Sequence, residues 1–334
     1  MISREFDLGK EQTLRVGVVG AGVMGSNHGR VLAGLPGITL VGIVDPLEEH
    51  RDRATRLIGC PTFTTHDELC DAGVEAVTIA APTHLHHEIA LDCIARGIHV
   101  LVEKPVASTV QEGRDIVAAA RHAGVTLMVG HVERFNPAVA TIKKAIEGED
   151  ILSIAITRVG PFPPRMSNVG VVIDLAVHDI DLIRWFTESE ITEVQPQLSS
   201  AVAEREDIAL LQFRTASGVL AHINTNWLTP FKARSVTVAT RGKYVQGDLL
   251  TRQVTECFGF QPDGSYSMRH LPVGHDEPLR AELIAFIDAV RSGETPAVTG
   301  EEGVASLEIA IQCLEPSSSA QSASARKGAL RVAG

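Results

Sequence analysis

Two side chains that can move a proton stand four residues apart, Asp174 and His178. If this segment is a helix, residues at that spacing share one face, and the carboxylate lies beside the imidazole. A neighbouring carboxylate orients the ring and favours its charged form, which suits a general base. Asp181, three residues beyond His178, can lie on the same side. The alternative is a helix with polar faces and a buried histidine whose hydrogen bonds are structural.

A lysine, Lys104, lies between Glu103 and Pro105, directly after the apolar run His99–Val102. Open parallel sheets bind ligands beyond the carboxyl ends of their strands, where such a lysine can approach a nicotinamide and a substrate hydroxyl. The alternative is a surface lysine that pairs with a neighbouring acid. A cis peptide bond before Pro105 fits this position, although the sequence does not determine the isomer.

A glycine pattern, Gly20-Ala21-Gly22-Val23-Met24-Gly25, matches G-x-G-x-x-G and lies between an apolar run and a helix-compatible stretch. In such a loop Gly20 permits the tight turn, Gly22 lets the backbone approach a pyrophosphate, and Gly25 lets the helix pack closely on the strand. The helix N-terminus then presents its amides to the phosphates. Asp45 ends the next apolar run, twenty residues beyond Gly25, where a carboxylate binds a ribose 2′-OH and repels a 2′-phosphate. The pattern predicts a dinucleotide site that prefers NAD to NADP.

Two further loops are expected at the same edge of the sheet. Ala81-Pro82-Thr83, together with His86, is interpreted as a loop that contacts the nucleotide. His84 and His87 permit a metal interpretation, but no convincing third ligand lies nearby, so we predict no metal. The segment 130–137 follows the last predicted parallel strand, and its candidate substrate contacts are His131, Arg134, Phe135 and Asn136. The alternative for this segment is an ordinary polar linker.

The elements that must position these residues change in character along the chain. Up to about residue 130, short apolar strands alternate with helices, which predicts a parallel sheet covered on both faces. The strand candidates are Leu14–Val19, Ile38–Val44, Ala76–Ala80, His99–Val102 and Thr126–Val129. The helix candidates are Ser26–Ala33, Glu48–Leu57, His66–Asp71, His86–Arg96 and Val110–His122.

Beyond residue 130 the chain is rich in β-compatible runs, which predicts a largely antiparallel sheet with one face free for binding or self-association. The strand candidates are Ile151–Val159, Glu193–Ser199, Ile208–Phe213, Val219–Thr225, Ser235–Thr240 and Leu249–Phe258. Helices are expected at Asp174–Phe186, Pro278–Ser292 and Gly303–Glu315. We therefore predict a dinucleotide-binding domain over 1–130, with a leader at 1–12, and an α+β domain over 131–334 with a peripheral tail at 316–334.

The composition excludes several classes of protein. A length of 334 residues is enough for two domains, and the net charge of −11 argues against non-specific binding of nucleic acid. No apolar run approaches the roughly 20 residues of a membrane-spanning helix, and the N-terminus has no signal-peptide core. The five cysteines are scattered and form no CxxC pair, which predicts reduced thiols, a cytoplasmic protein and no zinc site.

In this order and spacing, the glycine turn with Asp45, the Ala81-Pro82-Thr83 loop, Glu103-Lys104-Pro105 and the pair Asp174 and His178 resemble the Gfo/Idh/MocA family of sugar and inositol dehydrogenases. The resemblance covers nearly the whole chain. It implies a Rossmann domain with a doubly wound parallel sheet, an α/β domain with a large open sheet, and a homo-oligomer, either a dimer or a tetramer. It also implies NAD-linked oxidation of a hydroxyl, with Lys104, Asp174 and His178 as the catalytic group. The implied cofactor contacts are Gly20, Gly22, Val23, Met24, Gly25, Asp45, Ala81, Pro82, Thr83, His86, Glu103 and Lys104.

The chain departs from the family in one motif. Where the family usually has aromatic-Asn-Arg-Arg-Phe, this chain has His131-Val132-Glu133-Arg134-Phe135, so the role of the usual asparagine is in doubt at Val132. With the segments 159–165 and 226–230, this motif resembles the branch that oxidises C3 of UDP-N-acetylglucosamine, whose 3-keto product a partner aminotransferase converts into a 3-amino sugar. Cations must then meet the diphosphate, or else they are solvated surface charges; the candidates are Arg165, Lys232 and Arg234.

Two alternative functions stay open at this point. One is a dehydrogenase of the same fold that acts on a free sugar or on myo-inositol. The other is a non-catalytic regulator that senses a dinucleotide, since a fold alone does not specify chemistry. The lysine, aspartate and histidine together argue against the regulator, because a sensor needs none of the three.

Overall fold

The computed structural model describes residues 13–163 and 169–315, which form two compact units. The first unit contains the described residues up to Val132 and the segment Glu277–Val304, and the second contains Glu133–Asp276 and the described residues from Ala305 onward. The predicted leader, the predicted tail and Arg165 lie outside the described residues. The chain first passes from one unit to the other after Val132, close to the predicted domain boundary at residue 130. The segment Glu277–Val304 was expected in the second domain and belongs to the first unit.

The first unit is built on a six-stranded parallel sheet with the order β3-β2-β1-β4-β5-β6, as predicted for a doubly wound fold. Its strands are β1 (Leu14–Val19), β2 (Ile38–Val44), β3 (Thr62–Phe63), β4 (Ala76–Ile79), β5 (His99–Glu103) and β6 (Leu127–Gly130). Its helices are α1 (Val23–Ala33), α2 (Glu48–Ile58), α3 (His66–Asp71), α4 (His86–Ala95), α5 (Val110–Ala123) and α8 (Pro278–Ser292), of which α8 packs against α1. The strand order reverses between β1 and β4, the position at which such sheets bind ligands.

Local chemistry determines where these helices begin and end. Thr109 caps α5 in a capping box, in which its hydroxyl accepts from the amide of Glu112 and the Glu112 carboxylate accepts from the amide of Thr109. Gly124 ends α5 with φ of +67°, a left-handed conformation that glycine adopts without steric cost. The sequence predicted these boundaries to within a few residues for that reason. It did not predict the two-residue strand β3 or the 3-10 turn Thr83–Leu85 of this unit.

The second unit is built on an eight-stranded sheet with the order β14-β13-β12-β11-β7-β10-β9-β8, in which only β7 and β10 pair in parallel. The strands are β7 (Ile151–Pro161), β8 (Ile191–Ser199), β9 (Ile208–Thr215), β10 (Leu220–Asn226), β11 (Leu228–Thr240), β12 (Lys243–Asp248), β13 (Gln253–Phe258) and β14 (Ser267–Leu271). The helices of this unit are α6 (Pro137–Ala145) and α7 (Val177–Thr187), and α9 (Gly300–Leu314) begins in the first unit and ends here. The single strand predicted over Leu249–Phe258 was wrong, because a turn that contains Arg252 at φ of +57° separates β12 from β13.

The sheet of the second unit alternates between a buried and an accessible face. Ile154 and Ile156 on β7, and Val236 and Val238 on β11, belong to the hydrophobic core, in which residues of α6 and α7 also take part. The intervening side chains lie on the other face, as the alternating sequence pattern predicts. Among the described helices, none is long and apolar enough to cross a membrane.

Candidate active site

The three glycines of the loop after β1 have three different physical roles. Gly20 has φ of +100°, and a Cβ there would lie 2.6 Å from the carbonyl oxygen of Ala80. A Cβ on Gly25 would lie only 1.7 Å from the carbonyl oxygen of Gly20, so α1 approaches β1 more closely than any larger residue permits. A Cβ on Gly22 would meet no protein atom within 4 Å. Packing therefore explains Gly20 and Gly25, whereas the space over Gly22 is available to a ligand.

The carboxylate of Asp45 is held at the end of β2, next to this loop. One of its oxygens accepts hydrogen bonds from the amide of Ala21 at 2.8 Å and contacts Nδ1 of His50 at 3.1 Å, while the other accepts from the amide of Leu47 at 2.9 Å. These contacts fix the acid with lone pairs to spare, since a carboxylate offers about four acceptor positions. A fixed acceptor beside an open glycine cradle suits the ribose and pyrophosphate of a dinucleotide.

Lys104 lies at the carboxyl edge of the same sheet, as predicted. Glu103 ends β5 opposite Gly130 of β6, so that Lys104 and His131 are the next residues on two neighbouring strands. Lys104 is half-buried and His131 is buried. The peptide bond between Lys104 and Pro105 is cis, which is the isomer that the sequence left open.

His86 connects the two loops of this edge and does not lie exposed toward a ligand. Its ring is buried, with Nε2 2.8 Å from the carbonyl oxygen of Ala81 and Nδ1 3.1 Å from that of Pro105. Burial lowers the pKa of His86, which favours the neutral ring with a single N–H donor. The structure therefore shows that His86 links the Ala81 loop to the lysine loop, and its contact with a cofactor stays a prediction.

In the second unit, Asp174 and His178 occupy the accessible side of one helical segment. The segment begins with a π-helical turn, Val172–Ala176, and continues as α7. Asp174 and His178 are partly exposed, whereas Asp179 and Asp181 of the same segment are completely buried. Nδ1 of His178 is buried. The sequence predicted a common face but not the π-helical turn, a distortion that is frequent at functional sites.

A cluster of buried charges, centred on Arg158, packs beneath this segment. Arg158 makes a bidentate pair with Asp179 at 2.7–3.0 Å and a further bond to Glu133 at 2.7 Å. Glu133 also accepts from Arg234 at 3.0 Å. Burial raises the pKa of Glu133, but the two arginines outweigh this effect and hold its pKa below the usual range. Sequence reasoning missed Glu133 and Arg158, because nothing in the local pattern distinguishes a buried ion pair from surface charges.

Arg234 is the member of this cluster that remains accessible, with about a third of its side chain exposed. Burial, and next the charge of Arg158, lower the pKa of Arg234, while Glu133, Asp179 and Asp174 act in the opposite direction. The charge of Asp174 thus reaches Arg234, so that the second unit holds a guanidinium near its candidate acid–base pair. Lys232, the other described candidate for the diphosphate, is exposed.

Two residues predicted to contact the substrate, Arg134 and Asn136, have partners within the protein. Arg134 is buried in a bidentate ion pair with Asp181, with both N–O distances at 2.7 Å, and it also lies 5.7 Å from the centre of the Trp185 ring. Asn136 caps α6 by accepting a hydrogen bond from the amide of Ala138. The expectation that Asp181 shares the face of His178 is wrong, because Asp181 points into the core toward Arg134. Phe135 is half-buried.

The chain is similar to known proteins over nearly its entire length. Residues 14–131 match the Gfo/Idh/MocA oxidoreductase family with an NAD-binding Rossmann fold, and residues 150–245 match the Gfo/Idh/MocA C-terminal domain. Inositol 2-dehydrogenase 1 of Saccharopolyspora erythraea is 32% identical over 90% of this chain and 93% of its own. UDP-N-acetylglucosamine 3-dehydrogenase of Acidithiobacillus ferrooxidans is 26% identical over 90% of this chain and 96% of its own, and its solved structure GnnA has a TM-score of 0.84 at 25% identity, with the same coverage. The structure of GenD2 from gentamicin A biosynthesis in complex with NAD has a TM-score of 0.78 at 25% identity over 94% of this chain and 95% of its own.

An open glycine cradle, a fixed acid at the end of β2 and a lysine at the same sheet edge define a nucleotide-dependent oxidoreductase. The chain belongs to the Gfo/Idh/MocA family of oxidoreductases, and its cofactor is NAD. The residues of the first unit fit this cofactor, because the space over Gly22 and the acceptor Asp45 are both present. The family assignment expected from the sequence is confirmed, as is the fold class.

Proposed function

We propose that this enzyme oxidises a secondary hydroxyl of a sugar, and that the substrate is UDP-N-acetylglucosamine, oxidised at C3 to the 3-keto nucleotide sugar. The observation that supports the dehydrogenase chemistry is the pair Asp174 and His178, which stays accessible while Asp179 and Asp181 of the same segment are buried in ion pairs. The choice of sugar is supported by the similarity to UDP-N-acetylglucosamine 3-dehydrogenase over nearly the full length of both chains.

In the proposed mechanism, His178 accepts the proton of the substrate hydroxyl as general base. Asp174 orients the ring and stabilises the imidazolium that forms. The ammonium of Lys104 donates a hydrogen bond to the same oxygen and stabilises its developing negative charge. NAD, when bound, supplies the hydride acceptor.

The second unit also carries the cations that a UDP-sugar requires. Arg234 is held by Glu133 and is partly exposed, so its orientation is fixed before a ligand arrives. A guanidinium presents paired donors that match phosphate oxygens, and binding costs little side-chain entropy when the group is already held. We propose Arg234 as the principal diphosphate contact among the described residues, with Lys232 as a more mobile second one.

A second candidate substrate is myo-inositol. It is favoured by the higher sequence identity of this chain, 32%, to an inositol 2-dehydrogenase. An inositol needs the acid–base pair and the lysine but no cation for a diphosphate. The two substrates therefore differ in what they require of Arg234.

The test is a substrate panel with the purified full-length protein and NAD, in which the absorbance of the reduced cofactor is followed. We expect reduction with UDP-N-acetylglucosamine, and much slower reduction with N-acetylglucosamine, glucose or myo-inositol. A 3-aminotransferase with its amino donor is added to remove the keto product, because an unfavourable equilibrium otherwise hides the reaction. Turnover of myo-inositol with none of the UDP-sugar, even with this trap, supports the second candidate and excludes the first.

We also propose that the accessible sheet face of the second unit mediates homo-oligomerisation. One row of paired residues crosses six strands of this face: Leu220, Ser153, Ala239, Tyr244, Cys257 and Met268. Ser153 and Ala239 in this row are small, and Leu220, Tyr244 and Met268 carry exposed apolar side chains. We expect light scattering to give a dimer or a tetramer, and Tyr244→Glu to lower the mass toward that of the monomer. An unchanged mass for that variant contradicts the placement of the interface.

A further inference from the structure

Three ionisable side chains meet inside the first unit. They are His28 of α1, Glu103 at the end of β5 and Glu282 of α8, and one ligand atom of each lies within 4.8 Å of those of the other two. His28 and Glu282 have no exposed surface, and Glu103 is 7% exposed. Clusters of this kind are costly unless their charges are compensated. Two buried carboxylates in this cluster therefore need compensation, by a partner or by a proton.

Glu103 has a defined partner for each of its oxygens. Oε1 lies 2.9 Å from Nε2 of His28, and Oε2 accepts from the backbone amide of Lys104 at 3.2 Å. Gly130 presses on the same carboxylate, since a Cβ at that glycine would lie 3.1 Å from Cδ of Glu103. The side chain of Glu103 therefore bends back onto its own strand end, where it supports the backbone of the lysine that follows it.

Glu282 has no such partners. Both of its carboxylate oxygens are buried, and neither forms a hydrogen bond with any described residue. Burial, and next the nearby charge of Glu103, raise the pKa of Glu282 well above its usual range. Two other titratable groups among the described residues face the pair Glu103–Glu282. They are His28 from α1, which contacts Glu103, and His86 from α4, whose pKa the charge of Glu103 raises against the larger effect of burial.

We propose that Glu282 is a neutral carboxylic acid that lies beside the carboxylate of Glu103, and that Glu282 and His28 are positioning residues that surround Glu103 and thereby fix the Lys104 backbone. This inference rests on the proposed function in one respect, namely that Lys104 is the catalytic group being positioned. With the proton in place, the pair carries one negative charge instead of two, as like-charged carboxylates at short range require.

A divalent cation is the competing explanation, because one imidazole and two carboxylates are a plausible donor set. The geometry favours the proton. Nε2 of His28 and Oε1 of Glu103 are in direct hydrogen-bond contact at 2.9 Å, so the N–H lies between them and that nitrogen offers no lone pair to a metal. Because His28 contacts Glu103, no described group compensates a charge on Glu282, and protonation removes that charge.

The proton is tested by infrared spectroscopy of the full-length protein at neutral pH, in water and in deuterated water. We expect a carbonyl stretch of a protonated carboxylic acid, shifted by deuterium and absent in Glu282→Gln. Glu294→Gln changes an exposed glutamate of the same unit and should leave the band intact. Absence of the band in the wild type, its persistence in Glu282→Gln, or stoichiometric zinc or manganese in the purified protein overturns the proposal.

The positioning role is tested by a pair of variants at the same residue. Glu282→Gln keeps a neutral polar side chain of nearly the same shape beside Glu103, so we expect kcat close to that of the wild type. Glu282→Leu puts an apolar side chain against the carboxylate of Glu103, and we expect roughly a ten- to hundredfold lower kcat with little change in the Kd for NAD, as for a small misplacement of a catalytic group. A folded Glu282→Leu enzyme with full kcat contradicts the positioning role. The infrared result does not require turnover, so it stands even if the proposed substrate is wrong.

Discussion

Two similar substitutions in the glycine loop should have opposite effects: Gly22→Ala should weaken NAD binding, and Gly25→Ala should lower stability. Gly22→Ala adds a Cβ in open space, at φ of −63° and ψ of −163°, which alanine adopts without strain. Restricting the unfolded chain stabilises by about 0.4–1 kcal/mol, and exchanging glycine for alanine at a helix N-cap costs a similar amount. The free energy of unfolding should therefore change by less than about 1 kcal/mol, which is about 2–4 °C in Tm for a unit of this size.

Binding of NAD should respond much more strongly to Gly22→Ala. The new methyl group fills the space into which the pyrophosphate must come, so the backbone amides of the loop can no longer reach it. We expect at least about a tenfold higher Kd for NAD, equivalent to about 1.4 kcal/mol. Isothermal titration calorimetry measures the Kd, and differential scanning calorimetry without ligand measures Tm.

Gly25→Ala should behave in the reverse manner. Its Cβ would lie 1.7 Å from the carbonyl oxygen of Gly20, a backbone atom that cannot rotate away. Overpacking typically costs about 1–3 kcal/mol and occasionally more, and a backbone clash belongs at the upper end of that range. We expect a large fall in Tm before any question of ligand arises. The roles assigned to the two glycines are refuted if Gly22→Ala binds NAD as tightly as the wild type, or if the Tm of Gly25→Ala equals that of the wild type.

The remaining predictions concern the acid–base pair, the diphosphate contact and the buried carboxyl pair. His178→Ala should lower kcat by about 10²–10⁴-fold and leave the Kd for NAD unchanged, as measured by steady-state kinetics and calorimetry; turnover at the wild-type rate would exclude it as the base. Arg234→Ala should raise the KM for the UDP-sugar about tenfold or more, whereas Arg241→Ala, which removes an exposed arginine paired with Asp150, should not. An unchanged KM for Arg234→Ala would count against the diphosphate assignment. Folding raises the pKa of Glu282, so above about pH 4.3 the folded protein keeps a proton that the unfolded chain releases. The free energy of unfolding therefore falls as the pH rises from there toward the pKa of the folded state. The Tm of Glu282→Gln relative to the wild type should therefore increase between about pH 5 and pH 8, and parallel pH profiles for the two proteins would show that Glu282 does not hold this proton.

The sequence allowed a correct prediction wherever the determining contacts are local. The runs Leu14–Val19 and Ile38–Val44 match β1 and β2, because a strand buried on both faces must be apolar throughout. The glycine loop is similarly local, since a turn, a ligand approach and a close packing contact all fall within six residues. The shared face predicted for Asp174 and His178 rests on the same kind of local spacing, and both residues are partly exposed.

The sequence failed where a distant partner decides the role of a side chain. Arg134 lies in a motif expected to contact substrate, but Asp181, 47 residues away, neutralises it in the core. Glu133 and Arg158 could not be recognised as a buried pair, because each looks like an ordinary surface charge in its own segment. The helix α8 was correctly delimited, yet nothing in its amphipathic pattern indicated which of the two sheets it would cover.

The return of Glu277–Val304 to the first unit has a consequence for biosynthesis. The nucleotide-binding unit begins near the start of the chain, but α8, which supplies Glu282 and packs against α1, emerges from the ribosome only after nearly all of the second unit. Until then the inward side of α1, with the buried His28, is missing the neighbour that later covers it. Because ribosomes add about 5–20 residues per second, the first unit waits for many seconds in an incomplete state while the second is being made. The cofactor-binding half of this enzyme is therefore started before the second unit and completed only after most of it.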